Sequence, residues 1–491
     1  MAPELTLVVF TLVLSVMDLL MPKSSSRNVL GWLSFVGLIV AGLFVCMTLN
    51  PVKSIELLHH SYRIDDFANL MKLMMLGGTA LIILSSIGMV REEEIHHRGE
   101  FYYLLLPATL GGMIMASSGD LITLFVGLEL LSITSYILVA MRKKSGQSNE
   151  GAFKYVVLGG ISSALVLYGM SFLYGMTGST NIAEINSILS QNIGSFASLA
   201  YISFFLLLAG FGFKISAAPF HNWAPDVYQG APTPISTFLA VVSKAAAFAI
   251  LIRVMFGVFG IGDLRDSSLH HDAFLAITVL AALAMIVGNF TALRQNNVKR
   301  MLAYSGVANS GYLLVPLGAQ LAIVHFSNFT EFAFYLLAYI LMNIGAFIVF
   351  MAVERASGHE EISGFAGLYY RAPFTAVAMV IFMLSLSGLP VTGGFFGKLY
   401  IILGSLAGQY YWLAAIMIGT SVVSFFYYFR VIRYMFMKSD ESGKQVVIPT
   451  PLGISIWVCA IATVLLGIFP QTVTSFIESI FSLQHDLFIL Y

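Results

Sequence analysis

Apolar residues run along this chain in stretches of about 20, the length a helix needs to cross a bilayer, separated by short polar connections. Fourteen such stretches fall at about 4–21, 29–49, 67–90, 101–117, 120–141, 152–176, 196–214, 233–259, 272–293, 301–319, 329–353, 373–405, 411–437 and 451–469. The pattern predicts an all-α membrane protein with about fourteen transmembrane helices, residues 217–231 adding a half-helix to the seventh. Nothing between the spans is long enough for a soluble domain, so residues 1–491 read as a single polytopic membrane domain.

Two spans break the pattern. The seventh runs into AGFGFKISAAPFHNWAPDVYQGAPTPISTFLAVVSK at 209–244, where Pro219, Pro225, Pro232 and Pro234 interrupt the helix. The twelfth contains SLSGLPVTGGFFGKLYIIL, where Gly388, Pro390, Gly393, Gly394 and Gly397 come just before Lys398. Proline removes a backbone donor, and freed backbone groups at membrane depth are tolerated only against protein or a wet cavity. Spans four to eight and nine to thirteen then form two sets of five, with the broken, lysine-bearing segment fourth in each. A five-span unit is odd, so its copy inserts inverted, and discontinuous helices at matching positions point to a path at the repeat interface. This divides the chain into three N-terminal helices (1–99), a first repeat (100–260), a second repeat (270–437) and a C-terminal helix with its tail (438–491). The copies differ: the tenth span has no acid to match Glu129, and the thirteenth no mid-span lysine to match Lys244.

Composition agrees with a membrane protein, since 58% of residues are hydrophobic and only 10% charged, against roughly 25% charged in soluble domains. Lysine and arginine set the orientation, because short cytoplasmic loops carry the excess. Sixteen lie in one set of alternate loops, including Lys23 and Lys444, against Lys53, Arg63 and Arg265 in the other. Both termini are therefore expected outside, and the first helix, lacking a basic n-region or a cleavage site, reads as retained. Cys46 and Cys459 are too few for an iron–sulfur cluster, which takes four ligands. GFGF at 210–213 has no preceding strand and is not a dinucleotide loop.

Charges inside the spans carry the candidate chemistry, because each is expensive at that depth. Lys214 ends an apolar run beside a broken helix, which reads either as an ion path or as a lysine snorkelling to the headgroups. Glu129 falls mid-span and must be protonated or paired. Glu150 and Lys154 are four apart on one helix face, structural at the rim or the mouth of a path. Lys244 lies about 15 Å along a helix from Pro234, near mid-membrane. Asp18 and Lys72 read as interface-reaching, Lys299 and Arg300 as inner-edge anchors, and His59, His60, Asp65 and Asp66 as a solvated outer loop. Depth and topology together predict that Lys214, Lys244 and Lys398 lie along one polar line near the midplane.

The run FKISAAPFHNWAPDVYQGAPTP, the mid-helix Glu129, the VKRMLAYS segment and the late broken helix with Lys398 resemble the antiporter-like membrane subunits of complex I. That complex is the proton-pumping NADH:quinone oxidoreductase, and the likeness is strongest to the subunit N branch. It covers nearly the whole chain. The subunit L branch carries a long lateral C-terminal helix and the subunit M branch a glutamate in place of Lys398. The D subunit of multi-subunit sodium/proton antiporters keeps the lysine but reads differently at 226–230, so a gradient-driven antiporter is the alternative. The resemblance implies Glu129 and Lys214 as a charge pair, Lys244 as central relay, Lys398 as the outer-channel residue and Lys154 as an accessory, with Glu150, His221, Pro219 and Pro390 in support. It further implies a bacterial plasma-membrane location, no cofactor or metal in this chain, and FMN, iron–sulfur clusters and quinone on partner subunits. Its partners would be those membrane and peripheral subunits, the bilayer and protons, with no nucleic acid. A scaffold whose charges merely hold helices together is the remaining reading.

Overall fold

The computed structural model describes residues 1–22, 25–49, 54–92, 94–260, 264, 267–319, 328–439, 445–481 and 486. Lys23, Lys53, Arg265 and Lys444, used above for orientation, lie outside them. All fourteen apolar stretches are helical. They form α1 (Ala2–Leu20), α2 (Asn28–Cys46), α3 (Asp66–Ser86), α4 (Arg98–Ser117), α5 (Leu121–Val139), α6 (Gly146–Thr177) and α7 (Ile182–Lys214). After a break come α8 (Ala224–Gly230) and α9 (Thr233–Phe238), which passes through a π-helical turn, Leu239–Ser243, into α10 (Lys244–Phe259). The second half holds α11 (Ser268–Ala292), α12 (Val298–Gly318), α13 (Asn328–Ser357), the short α14 (Leu368–Arg371), then α15 (Pro373–Ser387) and α16 (Gly393–Ala407) on either side of the second break. The chain continues through α17 (Tyr411–Met437), α18 (Thr450–Ile468) and α19 (Pro470–Ile480). Among the described residues, eleven helices are long and apolar enough to cross a membrane, and α15 and α16 are shorter apolar helices.

The helices start where side chains satisfy the free N–H groups of a first turn. Asp120 caps α5 through Ile122 and Thr123, and Asn297 caps α12 through Arg300. The same two caps also carry a sign of the repeat. Asp120 pairs with Asn181, just before α7, and Asn297 pairs with Glu361, ahead of α15. The bridge thus joins the N-terminal end of the second member of each five-helix set to the residues ahead of the fourth.

The core sits where the two sets meet. Every residue of the segment from Thr233 to Phe259 is buried, and α3 and most of α13 are nearly so. A helix apolar on all sides belongs inside a bundle, so exposed apolar residues concentrate instead on the outer helices α1, α2, α6, α11, α17 and α18. The α11–α12 pair approaches closest through glycine: a side-chain carbon at Gly311 would lie 2.7 Å from the Ala281 carbonyl oxygen, and one at Gly288 2.8 Å from the Ala308 Cα. Gly311→Val is expected to force the helices apart and destabilise the chain by about 1–3 kcal/mol, read as a lowered thermal midpoint in detergent; an unchanged midpoint would show that the helices can slide to accept it.

The N-terminal region departs from its sequence reading. The connection between α2 and α3 is a β-hairpin, Ile55–Leu57 against Tyr62–Ile64, and Asp65 and Asp66 behind it are buried, not solvated. His60 pairs with Glu56 on the exposed side. Lys72 does not reach the interface: it is buried, its Nζ lies 2.8 Å from Glu4 Oε1, and it donates to the Tyr62 hydroxyl at 2.8 Å. Asp18 meets Arg27 at 2.7 Å.

Candidate functional site: buried lysines on neutral acceptors

Both proline- and glycine-marked breaks are present. α7 stops at Lys214, and residues 215–223 turn before α8, with Pro219 following a cis peptide. α15 stops at Ser387, Gly388 takes the left-handed conformation (φ +83°) that ends the helix without a side-chain clash, and Pro390 lies in the gap before α16. Each lysine of interest stands at such a terminus or at a backbone irregularity. Lys214 is the last residue of α7, Lys244 follows the π-helical turn, and Lys398 sits on the second turn of α16.

Their partners share one property. Lys398 Nζ donates to the carbonyls of Leu386 (2.8 Å) and Ser387 (3.4 Å), the free C-terminal carbonyls of α15, where the helix dipole is negative. Lys244 Nζ donates to the Gly306 carbonyl at 2.6 Å and lies 5.5 Å from the Tyr339 ring centre. Lys214 Nζ donates to the Ser132 hydroxyl at 2.7 Å. None of the three is held by a carboxylate within ion-pair distance among the described residues, whereas Lys72 meets Glu4 and Lys299 meets Glu360 at 2.7 Å. The resemblance pairs Lys214 with Glu129, but the two do not touch. Ser132, one turn along α5 from Glu129, takes the lysine, and Glu129 Oε1 is buried with no hydrogen-bond partner.

Helix α12 connects the three. Ser310 Oγ donates to the Ile215 carbonyl beside Lys214 (2.6 Å) and lies 3.0 Å from the Gly306 carbonyl that holds Lys244. Two residues further, Tyr312 places its ring 4.7 Å from Lys398 Nζ, while its hydroxyl meets Thr420 at 3.2 Å and Asn289 Nδ2 at 3.1 Å. Between them Asn309 accepts from the Tyr335 hydroxyl (2.5 Å) and donates to the Ser305 carbonyl (2.8 Å), and Ser305 bonds Tyr428. The sequence reading used this helix only for its basic start. Its signal was present: YSGVANSGY sets hydroxyl and amide side chains inside an apolar span, where each needs a partner.

Toward the basic loops, Lys154 is half-exposed and meets both Glu150 (2.7 Å) and Asp226 (2.6 Å). Asp226 also takes Arg300 at 2.6 Å, so it ties the first half to the second. Sequence reading quoted Asp226 only as part of a motif. His221 lies 6.0 Å from Tyr304, ring centre to ring centre, with its Nδ1 unpartnered. Lys299 lies beside the basic loops but is fully buried, bonded to Glu360 and the Ala231 carbonyl. Cys46 and Cys459 are both free, and among the described residues no group of three or more His, Cys, Asp or Glu could hold a metal ion.

Residues 118–424 match the family described as NADH:quinone oxidoreductase/Mrp antiporter, TM. The NADH-quinone oxidoreductase subunit N of Paenibacillus sp. (strain JDR-2) is 51% identical over 506 residues, covering 100% of this chain and 97% of its own. A chain of respiratory complex I from Thermus thermophilus superposes with a TM-score of 0.79 at 31% identity, over 96% of this chain and 98% of that one. A chain of the Mrp complex from Dietzia sp. DQ12-45-1b has a TM-score of 0.84 but 19% identity, over 99% of both chains, a likeness of fold alone. Neutral-acceptor lysines at two helix breaks, a full-length relative at this identity and the family match together establish that the chain belongs to the subunit N family of NADH-quinone oxidoreductases.

Proposed function

We propose that this chain is a proton-translocating membrane subunit of an NADH:quinone oxidoreductase, in which Lys214, Lys244 and Lys398 exchange protons under the influence of Glu129. The observation that carries the reading is the choice of partner. A buried lysine beside a carboxylate is held as an ion pair, whereas one bonded only to carbonyls or a hydroxyl has no counter-ion, and its charge is easily displaced by another charge arriving nearby. Ser310, Asn309 and Tyr312 supply polar groups along the intervening helix, so loading one lysine favours unloading the next. The energy would come from quinone reduction in partner subunits, where FMN and iron–sulfur clusters would also sit. The single cysteines of this chain support that division. Lys154 would serve the inner mouth with Asp226 and Glu150. The basic loops favour both termini on the outer side of the bacterial plasma membrane, and the matched helix breaks favour two inverted repeats at 100–260 and 270–437. A gradient-driven antiporter is favoured only by the family description that covers both kinds of complex and by likeness of fold.

The test is NADH-driven proton uptake in sealed vesicles. Lys214→Met is expected to assemble and lose pumping, and Glu129→Gln to assemble and pump weakly. Near-normal pumping in either assembled variant would overturn the coupling of the two.

A further inference from the structure

We propose that the face of the basic loops holds an anionic phospholipid, with its phosphate at Arg433 and Lys438 and one acyl chain in the groove between α15 and α18. The proposal is independent of the proton-transfer reading. The short α14, the start of α15, the end of α17 and the start of α18 meet on that face, where two cavities lie on either side of Arg371. The first, of about 400 Å³, is bounded by Tyr370, Arg371, Phe436, Met437 and Lys438. Its walls are tied together: Tyr369 stacks on Phe436 with ring centres 4.8 Å apart, and the Gly367 N–H donates to the Tyr434 carbonyl at 3.3 Å. Arg433 is exposed one turn before Met437 on the same side of α17, whereas Arg430 turns inward to the Gln295 carbonyl. Among the described residues no carboxylate borders this cavity.

The second cavity, of about 300 Å³, is mostly apolar, bounded by Phe374 on α15, by Val446 and Ile448 ahead of α18, and by Gly453, Ile456 and Trp457 on α18. Gly453 leaves it open, since a side-chain carbon there would meet only Ile448 Cγ2, at an ordinary 3.5 Å. About one turn deeper, Val377 follows Phe374 and Ile461 follows Trp457, both exposed, so the apolar walls continue along both helices toward the midplane. Tryptophan and tyrosine belong at the level where headgroups meet hydrocarbon, and Trp457 and Tyr370 mark that level in the two cavities. A free anion needs only the basic side chains, and an apolar ligand only the groove. A negative headgroup joined to an acyl chain needs the two side by side, and basic side chains at a membrane surface attract anionic lipids. A zwitterionic lipid brings its own positive charge toward the basic pair and is disfavoured.

The experiment uses the whole complex in phosphatidylcholine vesicles that contain a minor fraction of phosphatidylglycerol with a diazirine on its acyl chain. Illumination is expected to cross-link that probe to the peptides bearing Phe374 and Trp457, read by mass spectrometry, and unlabelled phosphatidylglycerol is expected to compete where phosphatidylcholine does not. Arg433→Gln and Lys438→Gln are expected to lower the yield about fivefold for each charge removed. Gly453→Leu keeps both charges but fills the groove, and is expected to abolish the cross-link to Trp457 while the complex stays assembled and oxidises NADH at the parental rate. Equal labelling by a phosphatidylcholine probe, or parental yield in either the double charge variant or Gly453→Leu, would overturn the site. Displacement by inorganic phosphate alone would reduce it to an anion site without an acyl groove and overturn the lipid assignment. Absence of cross-linking at both peptides would show the face covered by a neighbouring subunit and overturn it as well.

Discussion

Lys244→Met is expected to assemble into the complex and to reduce proton pumping on the order of 10²-fold, the lower bound for what a positioned proton-transfer group contributes. The lysine is 1% exposed and bonds only the Gly306 carbonyl, so methionine fills its place without stranding a buried carboxylate. A large loss of pumping with intact assembly then reports chemistry, not packing. Lys244→Arg sharpens the test. Arginine keeps the positive charge but does not give up its proton in proteins, so a residue that serves only as a fixed charge would tolerate the change, whereas a relay would not. Proton pumping and NADH oxidation, measured on the same vesicles, distinguish the two; parental pumping in the arginine variant would leave Lys244 as a static charge.

The second large effect is on stability. Arg253 is 3% exposed and places its NH2 2.6 Å from both oxygens of Asp65, which is 0% exposed. Its other nitrogens donate to the carbonyls of Ala116 (2.9 Å) and Asp486 (2.7 Å), and its guanidinium lies 4.6 Å from the Phe67 ring. Asp65 also caps α3 through the Ala68 N–H. Removing one partner of such a pair leaves an uncompensated buried charge, which costs about 3–5 kcal/mol, and loss of the cap adds about 1 kcal/mol. Asp65→Ala is therefore expected to lower the thermal midpoint sharply and to reduce the amount of assembled complex. The double variant Asp65→Ala with Arg253→Met is expected to recover most of the loss, because the stranded charge is gone. A single variant as stable as the parent would show that Arg253 finds a second counter-charge.

Sequence alone determined the features that depend on neighbours along the chain. An apolar run of bilayer length makes a span wherever it falls, so all fourteen helices were legible. Proline and glycine end a helix through their own backbone chemistry, so the breaks beside Lys214 and Lys398 were legible too, and with them the candidate lysines. Which charge meets which was decided only by tertiary structure, because that depends on helices distant in sequence coming to lie side by side. Lys72 and Lys398 both read as single lysines in apolar helices, yet one is locked to Glu4 and the other rests on the carbonyl end of α15. Lys299 looked like an interface anchor and is buried against Glu360. Lys214 faced Glu129 by analogy and bonds Ser132, the hydroxyl one turn along α5, because that is what the folded chain brings within the lysine's reach. The role of α12 was the largest gap. Its serine, asparagine and tyrosine become a connection only when α7, α10 and α16 deliver Ile215, Lys244 and Lys398 to the same helix, and no local pattern in the sequence encodes that meeting.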